Sequence, residues 1–144
     1  MKQYKLINLG LGIIVFLISL WQYGSTAESA GSLWDCGEFI SCAYKLQVAH
    51  PPGAPLFMLI GRFFSLFAKD QSQVAFMLNF MSAFMSAGCV MFLFWIITII
   101  SKRIIAPKEE DLTIDRVISI MGAGLVGSLA CSFMDTMWFS AVEG

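Results

Sequence analysis

Residues 74–100 read VAFMLNFMSAFMSAGCVMFLFWIITII, a stretch of 27 residues without a charged side chain. About 20 apolar residues in a helix are enough to cross the hydrocarbon of a bilayer, so this stretch predicts a membrane span. Two further apolar stretches, at about 6–23 and 117–139, are close to that length or longer. The sequence therefore predicts an all-α integral membrane protein with three transmembrane helices.

The composition of the 144-residue chain supports the same class. Hydrophobic residues make up 58% and charged residues 13%, where soluble domains carry about 25% charged residues. So few charges could not cover the surface of a small soluble globule, and disorder requires the opposite composition. The net charge of −1 without a basic stripe gives no footprint for nucleic acid.

The basic residues predict the orientation of the spans. The connection 101–116 holds four of them (Lys102, Arg103, Lys108 and Arg116), whereas the longer connection 24–73 holds three. The positive-inside rule therefore places the N-terminus and the loop 101–116 in the cytoplasm, and residues 24–73 in an outer loop. An alternative for the first stretch is a secretory signal cleaved near 25–27; in both cases the following segment reaches the outside.

The outer loop is predicted to contain two short interfacial helices. A helical projection of residues 34–48 gathers on one side Asp35, Glu38, Ser41, Cys42 and Lys45, with apolar residues opposite. The prolines at 51, 52 and 55 around Gly53 end this helix. The second apolar segment, 56–68, has Arg62 in its middle and is too short to span a membrane.

Asp35 and Glu38 are the first candidates for chemistry. Residues three apart share one face of a helix, and two neighbouring carboxylates suit a general base or a cation ligand. A solvated polar face is the alternative, since a helix dipole also favours Asp35 in the first turn. His50 could orient a phosphate or hydroxyl or be an ordinary loop residue, and Arg62 could pair with a lipid-linked phosphate or with ordinary headgroups.

Two further acids belong to the same predicted surface. Asp135 falls near the end of the third apolar stretch, where an acid is costly unless it faces a cavity or a partner, and Glu143 follows it. With Asp35, Glu38 and His50 they would converge on the outer side, which indicates a site. The single histidine and the absence of Cys/His metal spacing assign no metal ligands.

Four motifs carry a resemblance to a known family. They are Trp34–Phe39 (WDCGEF), His50–Pro55 (HPPGAP), Gly61–Arg62, and Asp135–Thr136 with Trp138–Glu143 (WFSAVE). In this order and spacing the chain resembles the N-terminal part of a bacterial family known as domain of unknown function 2723. That family is similar to the transmembrane protein 260 family of protein O-mannosyltransferases and, with it, to the GT-C glycosyltransferases.

The resemblance implies a GT-C-like fold and a sugar transferase that uses a polyprenyl-phosphate-linked, mannose-like hexose. The acceptor would be a protein or glycan hydroxyl on the outer side of a bacterial inner membrane, with membrane lipids around the enzyme. It further implies Asp35 as general base with Glu38 beside it, His50 and Arg62 at the donor phosphate, and Glu143 in a second acidic motif. A divalent metal stays open, because some members of the superfamily use one.

The resemblance also predicts that the chain, which ends just past its third span, is an N-terminal piece of a larger polytopic protein and is inactive alone. Two other classes stay open on the residues themselves. One is a transporter or channel piece, in which Asp35, Glu38 and Asp135 would bind ions. The other is a membrane scaffold without catalysis, in which these acids are merely solvated.

Overall fold

The computed structural model describes residues 2–31, 35–51 and 53–142. Within these ranges the regular elements are helices: α1 (Lys2–Thr26), α2 (Cys36–Lys45), α3 (Pro55–Ser65), α4 (Val74–Ile105), α5 (Ile114–Ser132) and α6 (Asp135–Val142), with short 3-10 turns at Gln71–Gln73 and Glu109–Asp111. The predicted all-α class is confirmed. Trp34, Pro52 and Glu143 of the predicted motifs lie outside the described residues.

Three of these helices are long and apolar enough to cross a membrane, at Gln3–Thr26, Gln71–Ile105 and Ile114–Ser132. This confirms the predicted number of transmembrane helices. The first two helices extend beyond the apolar stretches that predicted them. Helices α2 and α3 are the two short helices predicted between the first and second spans, each slightly shorter than its sequence pattern.

The third apolar stretch is not one helix to residue 139. Helix α5 ends at Ser132, where the Phe133 N–H donates to Leu129 O at 3.0 Å and the Met134 N–H donates to Cys131 O at 3.2 Å. Asp135 then begins the separate helix α6 and is exposed. An acid is favoured in the first turn of a helix by the orientation of the peptide dipoles. Asp135 therefore starts a helix, whereas the sequence placed it inside a span.

The chain divides into two compact units. The span unit comprises Met1–Trp21 and Ser86–Met137, and the loop unit comprises Gln22–Met85 and Trp138–Gly144. The span unit holds most of α1, the second part of α4 and all of α5. The loop unit holds α2, α3 and the first part of α4.

Small residues let the helices of the span unit approach closely. At Gly12 of α1 a Cβ would overlap the Trp95 indole of α4, and that indole N–H donates to Asn8 O at 3.2 Å. The fully buried Ser19 and Ser132 hydroxyls lie 2.9 Å apart. Helices in lipid associate through such close packing and polar contacts, because apolar burial alone does not drive them together.

We expect Gly124→Ala to destabilise the span unit and Gly122→Ala to stabilise it. A Cβ at Gly124 would lie 2.6 Å from Thr98 Cγ2 and 2.8 Å from Phe94 Cε2, and both neighbours are fully buried and cannot move aside. Overpacking of this kind costs about 1–3 kcal/mol. A Cβ at Gly122 meets nothing within 4 Å, so alanine gains helix propensity of up to about 1 kcal/mol. Thermal unfolding in detergent measures the midpoint temperature of each variant. Equal shifts of the two midpoints would contradict the close packing at Gly124.

The loop unit has its own apolar core, built from α2, α3, the turn between them and the start of α4. Its buried members are Ile40, Cys42, Ala43, Ala49, Met58, Val74 and Leu78. Gly61 brings α3 onto α2, since a Cβ there would lie 2.9 Å from the Ala43 Cβ. The helical projection placed Cys42 on the polar side of α2, and this prediction is wrong because Cys42 is buried in the core. An unpaired thiol behaves as a small apolar group and packs well there.

Candidate functional site

The first turn of α2 carries both predicted carboxylates. Asp35 is the N-cap residue, and its carbonyl oxygen accepts a hydrogen bond from the Phe39 N–H at 3.0 Å. Its carboxylate makes no capping hydrogen bond. Glu38 follows three residues later in the same turn. Both carboxylates therefore lie where the helix dipole favours negative charge.

Glu38 holds His50 by two contacts. The His50 backbone N–H donates to Glu38 Oε1 at 2.8 Å, and His50 Nδ1 lies 3.0 Å from Glu38 Oε2. An ionised carboxylate only accepts hydrogen bonds, so the contact assigns a proton to Nδ1. Glu38 thus fixes both the backbone position of His50 and the tautomer of its ring.

Aromatic packing and a turn support the same histidine. The Phe39 ring meets the His50 ring edge to face, with centroids 5.6 Å apart, and meets the Phe57 ring of α3 in the same way. The Gly53 N–H donates to His50 O at 3.0 Å and closes the turn. Gly53 has φ of 87°, a conformation that glycine adopts without steric cost. His50 is therefore held by α2 and by its own turn, and Phe57 of α3 supports the Phe39 ring that packs on it.

Asp35 completes the cluster and keeps its hydrogen-bonding capacity. Its Oδ2 lies 3.9 Å from His50 Nε2, which is an ion-pair distance but too long for a hydrogen bond. The side chains are partly exposed, at 66% for Asp35, 46% for His50 and 42% for Glu38. Among residues 2–31, 35–51 and 53–142, no group donates a hydrogen bond to the Asp35 carboxylate. That carboxylate can therefore accept a proton or a hydroxyl from a bound molecule.

The contact between Glu38 and His50 shifts both titrations. The hydrogen bond from the His50 backbone N–H, followed by the one from the ring, lowers the pKa of Glu38 below its usual value. The hydrogen bond to Glu38 and the charges of Glu38 and Asp35 raise the pKa of His50. The pair is therefore charged over a wider pH range than two isolated side chains would be.

The same three side chains could hold a cation. Asp35, Glu38 and His50 each offer one ligand atom, and these atoms lie within 4.8 Å of one another. Carboxylate oxygen and imidazole nitrogen suit several divalent metals. The 3.9 Å between His50 Nε2 and Asp35 Oδ2 is within the roughly 4 Å that two metal–ligand bonds can span. If only His50 Nε2 and Asp35 Oδ2 bind the ion, Glu38 Oε2 stays hydrogen-bonded to His50 Nδ1 and orients the imidazole.

Arg62 makes its contacts at the other end of α2. Its Nη1 donates to Tyr44 O at 2.7 Å, and its guanidinium carbon lies 5.4 Å from the centroid of the Tyr44 ring. The carbonyls in the last turn of a helix lack partners inside the helix and attract cations. Arg62 therefore ties α3 to the C-terminal end of α2, and its role at a donor phosphate stays a prediction.

The remaining predicted site residues are not part of this cluster. Asp135 is exposed and belongs to the span unit, so its convergence with Asp35 stays a prediction. Glu143 lies outside the described residues. The structure thus brings together three of the six predicted site residues: Asp35, Glu38 and His50.

Two structural contacts of the loop unit were not predicted from the sequence. Asn79, only 1% exposed, donates from Nδ2 to Glu28 O at 3.0 Å and to Ala30 O at 3.1 Å. Trp138 Nε1 donates to Thr26 Oγ1 at 2.9 Å. Both anchor the segment that leads from α1 toward Asp35. An amide within a long apolar run was the available signal for Asn79, because such groups in membrane segments need a partner.

Comparison with known proteins identifies the family. Residues 35–144 match the family model described as protein O-mannosyl-transferase TMEM260 N-terminal domain. Over 133 residues the chain is 26% identical to protein O-mannosyl-transferase tmem260 of Dictyostelium discoideum. These aligned residues make up 92% of this chain and 14% of that relative. No solved structure matches the chain. The chain belongs to the TMEM260 N-terminal domain family.

Proposed function

We propose that this chain is the N-terminal part of a membrane glycosyltransferase that moves a mannose-like hexose from a polyprenyl-phosphate donor to a protein or glycan hydroxyl. The observation that carries the proposal is the cluster of Asp35, Glu38 and His50, within a chain whose family is named for protein O-mannosyl-transfer. The chain spans 14% of the length of its curated relative. The activity is therefore proposed for the longer protein that carries this chain.

Asp35 is the proposed general base. Its carboxylate receives no hydrogen bond from the described residues and is 66% exposed, so an acceptor hydroxyl can reach it. The carboxylate would take the hydroxyl proton while the hydroxyl oxygen attacks C1 of the sugar. The bond between C1 and the phosphate oxygen would then break, and the lipid phosphate would leave with the electron pair, with inversion at C1.

Glu38 and His50 are the proposed positioning pair. Glu38 holds the imidazole by its Nδ1 and leaves Nε2 on the Asp35 side. A protonated His50 would place a positive charge beside the leaving phosphate, where negative charge develops during transfer. Arg62, Asp135 and Glu143 are proposed to contribute to donor and acceptor binding. Arg62 would bind through the guanidinium N–H groups that do not donate to the Tyr44 carbonyl.

The proposed site lies on the outer side of the membrane. The basic residues around 101–116 support a cytoplasmic N-terminus and an outer loop 24–73. A bacterial inner membrane follows from the resemblance of the motifs alone, and the curated relative comes from a eukaryote. The site can reach a sugar donor on the outer side of the membrane only if this orientation is correct.

A transfer assay with topology mapping tests the proposal. We expect intact membranes containing the full-length protein to move mannose from polyprenyl-phosphate mannose to a serine- or threonine-containing peptide supplied outside. In a background whose native cysteines are replaced by alanine, we also expect an impermeant thiol reagent to label Val48→Cys, an 86% exposed position, and to spare Lys108→Cys. Labelling with the opposite sidedness would contradict the outer location. Ion flux without any need for the sugar donor would instead identify a transporter.

A further inference from the structure

A cavity of about 320 Å³ lies within the span unit, at the end of α4 that precedes the basic loop. Its lining combines cationic, aromatic, amide and apolar side chains, among them Tyr4, Asn8, Ile99, Lys102 and Arg103. None of the residues that line it is acidic. The cavity is separate from the cluster around Asp35, which belongs to the loop unit.

The residues that line this cavity carry two positive charges and no negative charge. Lys102 and Arg103 lie in the last turn of α4, and Lys102 Nζ lies 5.2 Å from the centroid of the Tyr4 ring. The acids that follow in the loop, Glu109, Glu110 and Asp111, do not line the cavity, and Asp111 lies 3.4 Å from the Arg116 guanidinium. The two cations are therefore available to an anion that enters the cavity.

A buried polar atom at the same cavity also lacks a partner. Asn8 Oδ1 is buried, and among the described residues it has no hydrogen-bond partner. The backbone carbonyl of Asn8 accepts a hydrogen bond from the Trp95 indole, but the amide oxygen accepts none from the described residues. A buried acceptor without a partner costs free energy, so a ligand that brings a hydroxyl or amine donor is favoured there.

The place of the cavity along the chain specifies the environment of the ligand. Ile99 belongs to the apolar run 74–100, and the two cations follow directly after that run. This is the level at which lipid phosphates meet a transmembrane helix, and basic pockets between helices on the cytoplasmic side bind anionic headgroups. The lining thus presents an apolar wall toward acyl chains and cations toward a phosphate.

We propose that this cavity binds the headgroup of an anionic membrane lipid. Lys102 and Arg103 contact the phosphate, and Asn8 Oδ1 accepts a hydrogen bond from a headgroup hydroxyl such as those of phosphatidylglycerol. The proposal does not depend on the sugar transfer reaction. It rests on the predicted orientation, which places this end of α4 on the cytoplasmic side, where basic pockets bind anionic headgroups.

Lipid retention by the intact protein tests the site. Phosphatidylglycerol or phosphatidylcholine is added to the detergent-purified protein, and bound lipid is counted by native mass spectrometry. We expect phosphatidylglycerol to be retained in preference to phosphatidylcholine. The Arg103→Gln variant should lose affinity about fivefold, and the Lys102→Gln/Arg103→Gln variant about 25-fold, since each interfacial cation contributes about that factor.

A matched variant separates a site from general charge attraction. Lys5→Gln/Lys108→Gln removes the same charge from residues that do not line the cavity and should change retention less than twofold. An equal loss in this control, or no loss in the cavity variants, would overturn the proposal. Displacement of the lipid by inorganic phosphate alone would identify a free-anion site and also overturn it. Because Arg103 is exposed, the Arg103→Gln variant is expected to fold. It therefore tests the proposal even if the double variant does not fold.

Discussion

The Asp35→Asn variant of the full-length protein is expected to transfer sugar about 10²–10⁴ times more slowly than the wild type, the contribution typical of a positioned general base. The amide has nearly the same shape as the carboxylate but cannot accept the hydroxyl proton. Because the Asp35 side chain is exposed and makes no capping hydrogen bond, its replacement should leave α2 intact. The expected change is therefore in turnover, with folding and membrane insertion preserved.

A matched control is available in α5. Asp115 is also an exposed aspartate in the first turn of a helix, and it lies in the predicted cytoplasmic loop. Asp115→Asn should leave the transfer rate within twofold of the wild type. If Asp35→Asn transfers sugar at a near-normal rate while the protein is folded, Asp35 is not the base.

The Glu38→Gln variant is expected to move the alkaline limit of sugar transfer to lower pH and to slow transfer about tenfold at neutral pH. This loss is smaller than at Asp35, because Glu38 acts through its neighbour. Glutamine can still accept the hydrogen bond from the His50 backbone but carries no charge. The pKa of His50, raised in the wild type by the hydrogen bond and charge of Glu38, should therefore fall, and the imidazolium should be lost at a lower pH.

The signs of the two pKa shifts define where the pair stabilises the fold. The pKa of His50 is raised, so its contribution is fully present below the unfolded pKa and is lost as pH rises through the folded pKa. The pKa of Glu38 is lowered, so its contribution is present above the unfolded pKa and is lost as pH falls through the folded pKa. Wild-type stability should be greatest between these limits, and Glu38→Gln should flatten that profile.

The titration of His50 can be measured directly, because this chain contains one histidine. Its imidazole resonances in the isolated chain should titrate above the ordinary histidine value in the wild type and closer to that value in Glu38→Gln. Glu28→Gln is the control, since Glu28 is exposed and its backbone carbonyl, which bonds Asn79, is retained. A transfer profile that Glu28→Gln shifts as much as Glu38→Gln would contradict the positioning role.

The long elements were predictable because their signal is local. A run of 27 uncharged residues identifies α4, and the prolines around Gly53 mark the boundary between α2 and α3. The limit of α5 was not predictable by the same means. Phe133 and Met134 are as apolar as the residues before them, and only their backbone conformation separates α5 from Asp135.

The site was predictable in its members but not in its contacts. The spacing of Asp35 and Glu38 follows from the helix period, whereas the bond from Glu38 to His50 joins residues 12 positions apart. That contact depends on how the turn closed by Gly53 packs against α2, which no local pattern specifies. The hydrogen bond from Arg62 to the Tyr44 carbonyl was not predictable for the same reason, since it depends on how α3 packs on α2.

The uninterrupted course of α4 constrains the bilayer in which this protein can reside. Its 32 residues extend about 48 Å at 1.5 Å per residue, well beyond a hydrocarbon thickness of about 30 Å. A rod of this length must lean, project past the headgroups or thicken the lipid around it, each at a modest cost per ångström of mismatch. Membrane thickness is thus an expected influence on the tilt of this helix and on the compartment that accommodates it best.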